Sequence, residues 1–170
     1  MKKQPKSKRA IIAAFIDIRK HTPVEKMTVT NLCKVAEINK STFYVYYQDI
    51  YDLSDQVEND LVRRITNSIS HTECAFDDPG AFTEEVFRAY GENQHLIDIV
   101  FSGSRSVMLP KKVHQALTEL LFQLRPEYKN SPEKHIMLSY IIYGGYYAYV
   151  ENESMDRNYR ISVISSLTKL

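Results

Sequence analysis

TVTNLCKVAEINKSTFYVYYQDIYDL, residues 28–53, carries the most informative local pattern of the chain. Thr28 is a suitable N-cap for a short helix, and Asn39 is a suitable N-cap for a second short helix over KSTFYVYY. Between them, residues 37–39 interrupt the helical pattern. The segment therefore predicts a helix, a tight turn and a second helix.

The same stretch separates an inner, mainly apolar surface from a polar outer one. The predicted inner side chains are Val29, Leu32, Ala36, Ile38, Phe43 and Tyr47. The outward side chains can all form hydrogen bonds, and they are Lys40, Ser41, Thr42, Tyr44 and Tyr46. A DNA-reading helix needs both surfaces, because one packs on the bracing helix while the other meets base edges and phosphates.

The order and spacing of these residues resemble the N-terminal signature of the TetR family of transcription regulators. In that signature a Thr-capped helix, a small residue, a turn, a Thr-aromatic-Tyr recognition helix, an aromatic residue and a Leu follow in fixed order. The matching positions are Thr28, Ala36, Ile38, Thr42, Phe43, Tyr44, Tyr47 and Leu53. The match covers roughly residues 8 to 60. It implies a three-helix helix-turn-helix DNA-binding domain over residues 1–48 and a helical effector-binding and dimerisation domain over residues 49–170.

The resemblance also implies roles for individual side chains. Thr28 and Tyr44 are expected to touch phosphates, and Tyr46 replaces a His that is common at the DNA backbone. The side chains expected nearest the bases are Lys40, Ser41 and Thr42. Together these six residues form the predicted DNA-binding set.

Two positions depart from the family pattern. Glu37 stands where the family usually has Gly in the turn, and a left-handed conformation costs a residue other than Gly about 1 kcal/mol or more. We therefore expect a slightly reshaped turn. Ile50 stands where the family often has a phosphate-binding Lys, and Gln48 is a weak substitute. DNA affinity should then depend more on the basic N-terminal tail.

Charge is distributed unevenly along the chain. Residues 1–48 hold ten Lys and Arg against three Asp and Glu, whereas the remainder holds twelve bases and eighteen acids. A basic end on an acidic body is typical of a protein that binds a polyanion at one end, although a solvated charged surface also explains it. The tail side chains are Lys2, Lys3, Lys6, Lys8 and Arg9. They fit either a DNA-contacting arm or a loose terminus.

Helical periodicity continues to the end of the chain and predicts an all-α fold of about nine helices. The first helix is predicted over residues 7–21, and a longer one over 50–70 carries an apolar stripe at steps of four. Five further helices are predicted over 81–91, 94–102, 110–124, 132–151 and 157–169. No convincing strand pair appears.

The C-terminal half suggests two further surfaces. In the penultimate helix tyrosines form one stripe and two glycines lie in mid-helix, and the final helix offers apolar side chains. This pattern favours a dimer interface, although packing within one chain is the alternative. The predicted interface residues are Tyr140, Gly144, Tyr147, Ile161 and Ile164. An effector pocket is predicted from aromatic residues that could equally form plain core, namely Phe87, Tyr90, Phe101, Phe122 and Tyr143.

Several classes of protein do not fit the sequence. The five His and two Cys lack the spacing of a metal site, and no cofactor motif is present. We find no phosphate loop, nucleophile elbow or convergent acid-base set, so an enzyme is not expected. No signal peptide or apolar stretch of membrane-spanning length is apparent, which predicts a cytoplasmic protein without a membrane partner.

The predicted function is that of a homodimeric transcription regulator. It would bind double-stranded operator DNA through the helix-turn-helix and be released by an effector bound in the C-terminal domain. Repression is the usual role in the family, and activation by the same geometry is possible. The alternative is a coactivator of the same fold whose C-terminal domain responds to a partner protein.

Overall fold

The computed structural model describes residues 5–168, apart from the side chain of Glu73, and within that range the chain is helical with no strand. The first four α-helices are α1 (Lys6–Arg19), α2 (Val29–Val35), α3 (Lys40–Tyr44) and α4 (Ile50–Asn67). The next three are α5 (Pro79–Glu92), α6 (Gln94–Val100) and α7 (Met108–Leu124).

The C-terminal helices include a π-helical turn. Helix α8 (Pro132–Ser139) continues without a break through the π turn (Tyr140–Gly144) into α9 (Gly145–Val150), and α10 (Arg157–Leu167) follows. When α8, the π turn and α9 are counted as one helix, the described residues contain nine helices besides short 3₁₀ turns. The predicted all-α class is therefore confirmed.

Side-chain caps fix the starts of several helices. The Thr28 hydroxyl accepts a hydrogen bond from the Asn31 amide at 3.2 Å, as expected of the N-cap of α2. The Asp49 carboxylate accepts from the Asp52 amide at 2.8 Å at the start of α4. Asp52 in turn accepts from the Gln48 amide at 2.8 Å, so two otherwise unpaired amides are satisfied reciprocally.

The chain divides into two compact units. Unit 1 comprises the residues up to Leu61 together with His95–Ser106, and unit 2 comprises Val62–Gln94 together with the residues from Val107 onwards. The predicted domain boundary between residues 48 and 49 lies inside unit 1. Helix α4 contributes its first two-thirds to unit 1 and its last turns to unit 2.

The core of unit 1 is built where α1, α2 and α3 pack on one another. Its central side chains are fully buried, and they are Ile11, Phe15, Leu32, Phe43 and Leu53. Burying an apolar side chain of this size stabilises the fold by about 1.5–3 kcal/mol. These contacts give α3, which has only five residues and little helical stability of its own, a fixed position.

Unit 2 is a separate helical assembly. Helix α5 packs along α10, and α7 packs against α8 and the π turn. Phe87 of α5, Tyr149 of α9 and Ile164 of α10 form one buried cluster. Gly145 is buried beside this cluster, where a Cβ would lie 3.6 Å from Ile164 and 3.9 Å from Phe87, which are ordinary contact distances. Within residues 5–168 no helix has the length and apolar character that crossing a membrane requires.

Candidate functional site

The outer face of α3 presents polar side chains to solvent. Lys40, Ser41 and Tyr44 are exposed, with Tyr44 57% exposed, and Thr42 is half-buried. Val45, directly after the helix, is also exposed. The surface can therefore donate and accept hydrogen bonds through hydroxyls and carries one ammonium group.

Ring packing supports this face from below. Phe43 is fully buried, and its ring contacts those of Tyr44 and Tyr47 at centroid distances of 5.4 Å and 5.7 Å. The Tyr47 ring is itself buried, and the Lys8 ammonium lies 5.6 Å from its centroid. The Tyr44 ring therefore packs by one edge contact on a buried ring, while most of the side chain is open to solvent.

Tyr46 is tied to the first helix. Its hydroxyl oxygen lies 2.9 Å from the hydroxyl oxygen of Ser7, and the side chain is half-buried. Sequence reasoning placed Tyr46 on the outer surface but did not identify Ser7, which is 39 residues away along the chain. Only the position of Ser7 at the start of a basic helix could have drawn attention to it.

The turn between α2 and α3 has a left-handed residue at Glu37, with φ of 53°. The Ile38 amide donates to the Cys33 carbonyl at 3.0 Å, and the Glu37 amide donates to the Lys34 carbonyl at 3.3 Å. These are the two hydrogen bonds of a Schellman motif, in which Gly is the usual left-handed residue. The reshaped turn that we expected from Glu37 is therefore not found, and the Glu37 backbone takes the strained left-handed conformation instead.

The exposure of the residues at the start of α4 and in the basic tail shows which of them are accessible to a ligand. Ile50 is 6% exposed, so it belongs to the core and cannot replace a phosphate-binding Lys. Lys6 and Arg9 are exposed on α1. The tail residues Lys2 and Lys3 lie outside the described residues. The Thr28 side chain is exposed, although its hydroxyl oxygen also serves as the cap of α2.

A buried guanidinium joins α1 to the segment after α6 within unit 1. Arg19 is only 3% exposed and donates to the carbonyl oxygens of Thr22 at 3.1 Å, Val100 at 3.3 Å and Ser102 at 3.0 Å. Burial lowers the pKa of the Arg19 guanidinium from its ordinary value. Nearby, the Ser104 hydroxyl donates to Glu25, and this hydrogen bond lowers the pKa of the Glu25 carboxyl.

A second cation of unit 1 pairs with a fully buried carboxylate. Arg105 donates through Nε and Nη2 to the two oxygens of Glu58, each at 2.6 Å, and it also pairs with Asp55. The Ser54 hydroxyl donates to the same Glu58 carboxylate at 2.8 Å. The hydrogen bonds to Glu58 are the largest cause of a raised Arg105 pKa. Sequence reasoning missed this group, and the one available signal was a charged residue, Glu58, on the apolar face of α4.

Unit 2 contains an apolar cavity. Its walls come from α5, α7 and the π turn with α9, and two of the predicted pocket residues, Phe87 and Tyr90, line it. The opposite walls include Pro110, Ile141 and Gly145. Ile141, Pro110 and Gly145 were not in the predicted set, because an aromatic criterion does not select aliphatic residues or glycine.

The structure does not bring all five predicted pocket residues together. Phe122 stacks on Phe76 at a centroid distance of 6.3 Å, and Tyr143 stacks on His114 at 5.0 Å. Neither lines the cavity. Phe101 belongs to unit 1. Burial lowers the pKa of the His114 imidazole, so this ring favours its neutral form.

The predicted dimer-interface residues fall into two groups. Tyr140 is 71% exposed, Tyr147 is 48% exposed and Gly144 is exposed, so all three are accessible on the helix that contains the π turn. Ile164 is buried in the cluster with Phe87 and Tyr149, and Ile161 packs against the same cluster. The exposed apolar side chains of α10 are instead Tyr159, Val163 and Leu167.

No three His, Cys, Asp or Glu side chains in the described part of the chain are grouped so that they could hold a metal ion. Comparison of the chain with protein-family models, with curated proteins and with solved structures finds no match.

Proposed function

We propose that this chain is a TetR-type transcription regulator that binds operator DNA as a homodimer. Helix α2, the turn at Glu37 and helix α3 would form the helix-turn-helix, with α3 as the recognition helix. The observation that carries the proposal is the pairing of a fully buried Phe43 with the exposed polar face of Lys40, Ser41 and Tyr44 on one short helix. A helix of five residues that is held rigidly and presents hydrogen-bonding groups is suited to entering a major groove.

Some side chains would contribute to the affinity for DNA and others to its sequence specificity. Lys40 is the one cation of α3, and Tyr44 and Thr28 offer exposed hydroxyl-bearing side chains for phosphate oxygens. Ser41 and Thr42 would lie nearest the base edges. Tyr46, which contacts Ser7, would bind the DNA backbone and couple it to the start of α1.

Dimerisation would follow from the exposed faces of unit 2. Tyr140, Gly144 and Tyr147 would meet the same residues of a second copy, with Val163 and Leu167 of α10 beside them. A two-fold dimer would match a palindromic operator, because each recognition helix reads one half-site. The protein would act in the cytoplasm as a repressor, and an effector bound in unit 2 would release the DNA.

The test is a titration of the protein against a DNA fragment from its own upstream region, followed by fluorescence anisotropy at several salt concentrations. Lys40→Ala and Tyr44→Ala remove two proposed contacts. Lys20→Ala is the matched control, because Lys20 is also an exposed lysine of unit 1 but pairs with Asp17 on α1. We expect saturable, salt-sensitive binding by the wild type and by Lys20→Ala.

Lys40→Ala should weaken binding and reduce the slope of log K against log salt by about one, since one phosphate contact is lost. Equal binding by Lys40→Ala, Tyr44→Ala and the control would contradict the proposed use of α3. If no DNA binds and selection from whole genomic DNA also fails, a coactivator with a protein partner becomes the better hypothesis. A stoichiometric partner in a pull-down would then support it.

A further inference from the structure

The cavity of unit 2 is defined by three helical walls. Helix α5 contributes Phe82 and Phe87, α7 contributes Pro110 and Val113, and the π turn contributes Ile141 and Ile142. Among the described residues, none that lines the cavity carries a charged side chain. An ionised ligand would lose its hydration there without gaining an opposite charge, which opposes its binding.

Two of the three side-chain hydroxyls that line the cavity, those of Thr83 and Tyr90, already have partners. The Thr83 hydroxyl donates to the Pro79 carbonyl at 2.7 Å, within its own helix. The Tyr90 hydroxyl accepts a hydrogen bond from the Gln94 side-chain amide at 3.3 Å. The lining therefore selects by shape and apolar contact rather than by a charged or strongly polar group.

The size of the cavity limits what can enter. The cavity volume, taken as the space open to the centre of a water molecule, is about 50 Å³. For comparison, an apolar cavity of about 150 Å³ holds benzene. The cavity therefore has room for a short chain as it stands, and its walls would have to move apart to admit a ring.

The wall that contains Ile141 and Ile142 is the π turn. Single π turns within α-helices are frequent at functional sites, because the wider turn disturbs the regular hydrogen-bond ladder. Gly145 follows the π turn directly and is buried at the cavity. Gly145 lines the cavity and contributes no side chain to it.

We propose that the effector is a small uncharged apolar compound, and that it inserts a short aliphatic chain or a single ring between α5, α7 and the π turn. This assignment deepens the proposed function, on which its regulatory consequence rests. The binding site itself does not depend on DNA binding. The lining of this site differs from that of the predicted pocket. Phe101, Phe122 and Tyr143 are not part of it, and aliphatic side chains and Gly145 line it instead.

The experiment uses toluene as the probe and benzoate as its charged counterpart, each titrated into the full-length protein without DNA. Calorimetry gives the affinity, and ¹³C-methyl NMR of the isoleucines reports whether Ile141 and Ile142 respond. We expect saturable toluene binding with a Kd of roughly 1 mM or tighter, well within the limit for a ligand of seven carbon atoms. Benzoate should bind at least about ten-fold more weakly.

Two positions on α9 supply matched variants. Gly145→Leu adds a large side chain at the cavity wall and should weaken toluene binding at least about ten-fold, whereas Ala148→Leu should leave the affinity within about two-fold of the wild type. The reason is that Ala148 is exposed on the same helix and does not line the cavity. Gly145→Ala guards against misfolding of the larger variant, because its Cβ makes contacts of ordinary length with Ile164 and Phe87. It should weaken toluene binding less than Gly145→Leu does.

Three results would overturn the inference: no toluene binding, equal binding of benzoate, or unchanged binding in both Gly145 variants. The anisotropy titration with operator DNA separates this inference from the proposed function. A protein that binds DNA but not toluene refutes the effector class alone. A protein that binds toluene but no DNA keeps the site and refutes the proposed regulator.

Discussion

Replacing Arg105 by Met tests how far unit 1 depends on its buried ion pair. Glu58 is fully buried, and its two carboxylate oxygens each accept a 2.6 Å hydrogen bond from Arg105. Methionine keeps much of the length and apolar volume of the arginine stem but donates no hydrogen bond. The carboxylate would keep its hydrogen bond from Ser54 but lose both guanidinium bonds.

The expected cost is large because the carboxylate stays buried. Removing one partner of a buried ion pair typically destabilises a protein by about 3–5 kcal/mol. Arg105 is 15% exposed and its second partner Asp55 is half-exposed, so we expect a value near the lower end, about 3 kcal/mol. For a chain of this length that loss corresponds to a fall in Tm of roughly 6–12 °C.

The measurement is thermal and urea unfolding, monitored by the far-ultraviolet circular dichroism of the helices. It is made on the single variant and on a double variant that also carries Glu58→Met. The double variant should recover most of the loss, because replacing both members of a buried pair by apolar residues is often nearly neutral. A loss below about 1 kcal/mol for Arg105→Met would refute the argument, since that is the worth of an exposed pair. A double variant no more stable than Arg105→Met would refute it too.

Two further predictions concern the proposed helix-turn-helix. Glu37→Gly should raise the free energy of unfolding by about 1 kcal/mol, because glycine takes the φ of 53° without strain, and an unchanged Tm in differential scanning calorimetry would contradict this. Burial raises the pKa of Tyr47 to about 12, so its folded state keeps the proton when the unfolded chain loses it. Stability should therefore fall by roughly 2–3 kcal/mol between about pH 10 and 12. Tyr47→Phe should remove that fall and also stabilise the protein at neutral pH, since the buried hydroxyl has no hydrogen-bond partner. Urea titrations at several alkaline pH values give the free energy of unfolding. An equal fall of this free energy with pH in Tyr47→Phe and in the wild type would contradict the prediction.

The sequence predicts most of the local structure because local structure depends on neighbours in the chain. Thr28 caps α2 as expected, and the apolar stripe that contains Leu53 and Leu61 is buried. The long helix predicted over 132–151 is present, but the π turn inside it was not predicted. The pattern of apolar residues is compatible with either a regular or a widened turn, and only packing decides between them.

The turn between α2 and α3 shows that a residue other than glycine can take the left-handed position of a Schellman motif. A glutamate in a glycine position indicated a distorted turn, yet the two Schellman hydrogen bonds at Cys33 and Lys34 are both formed. The motif satisfies carbonyl groups at the end of α2, and this gain offsets a strain of about 1–2 kcal/mol at Glu37. Both hydrogen bonds join the turn to the last residues of α2, so the geometry of the turn is kept.

The buried polar contacts of unit 1 could not be predicted, because their partners are far apart in the chain. Arg19 bonds to carbonyls 81 and 83 residues away, and Arg105 bonds to a carboxylate 47 residues away. Of the three carbonyl oxygens that accept hydrogen bonds from Arg19, only that of Thr22 belongs to residues 1–48. A fragment that ended at residue 48 would therefore lack the other two acceptors. Buried donors without partners cost about 1–3 kcal/mol each, and more when charged. The smallest piece of the chain that satisfies these groups therefore includes residues 95–106 as well as the helices that carry the proposed DNA-binding face.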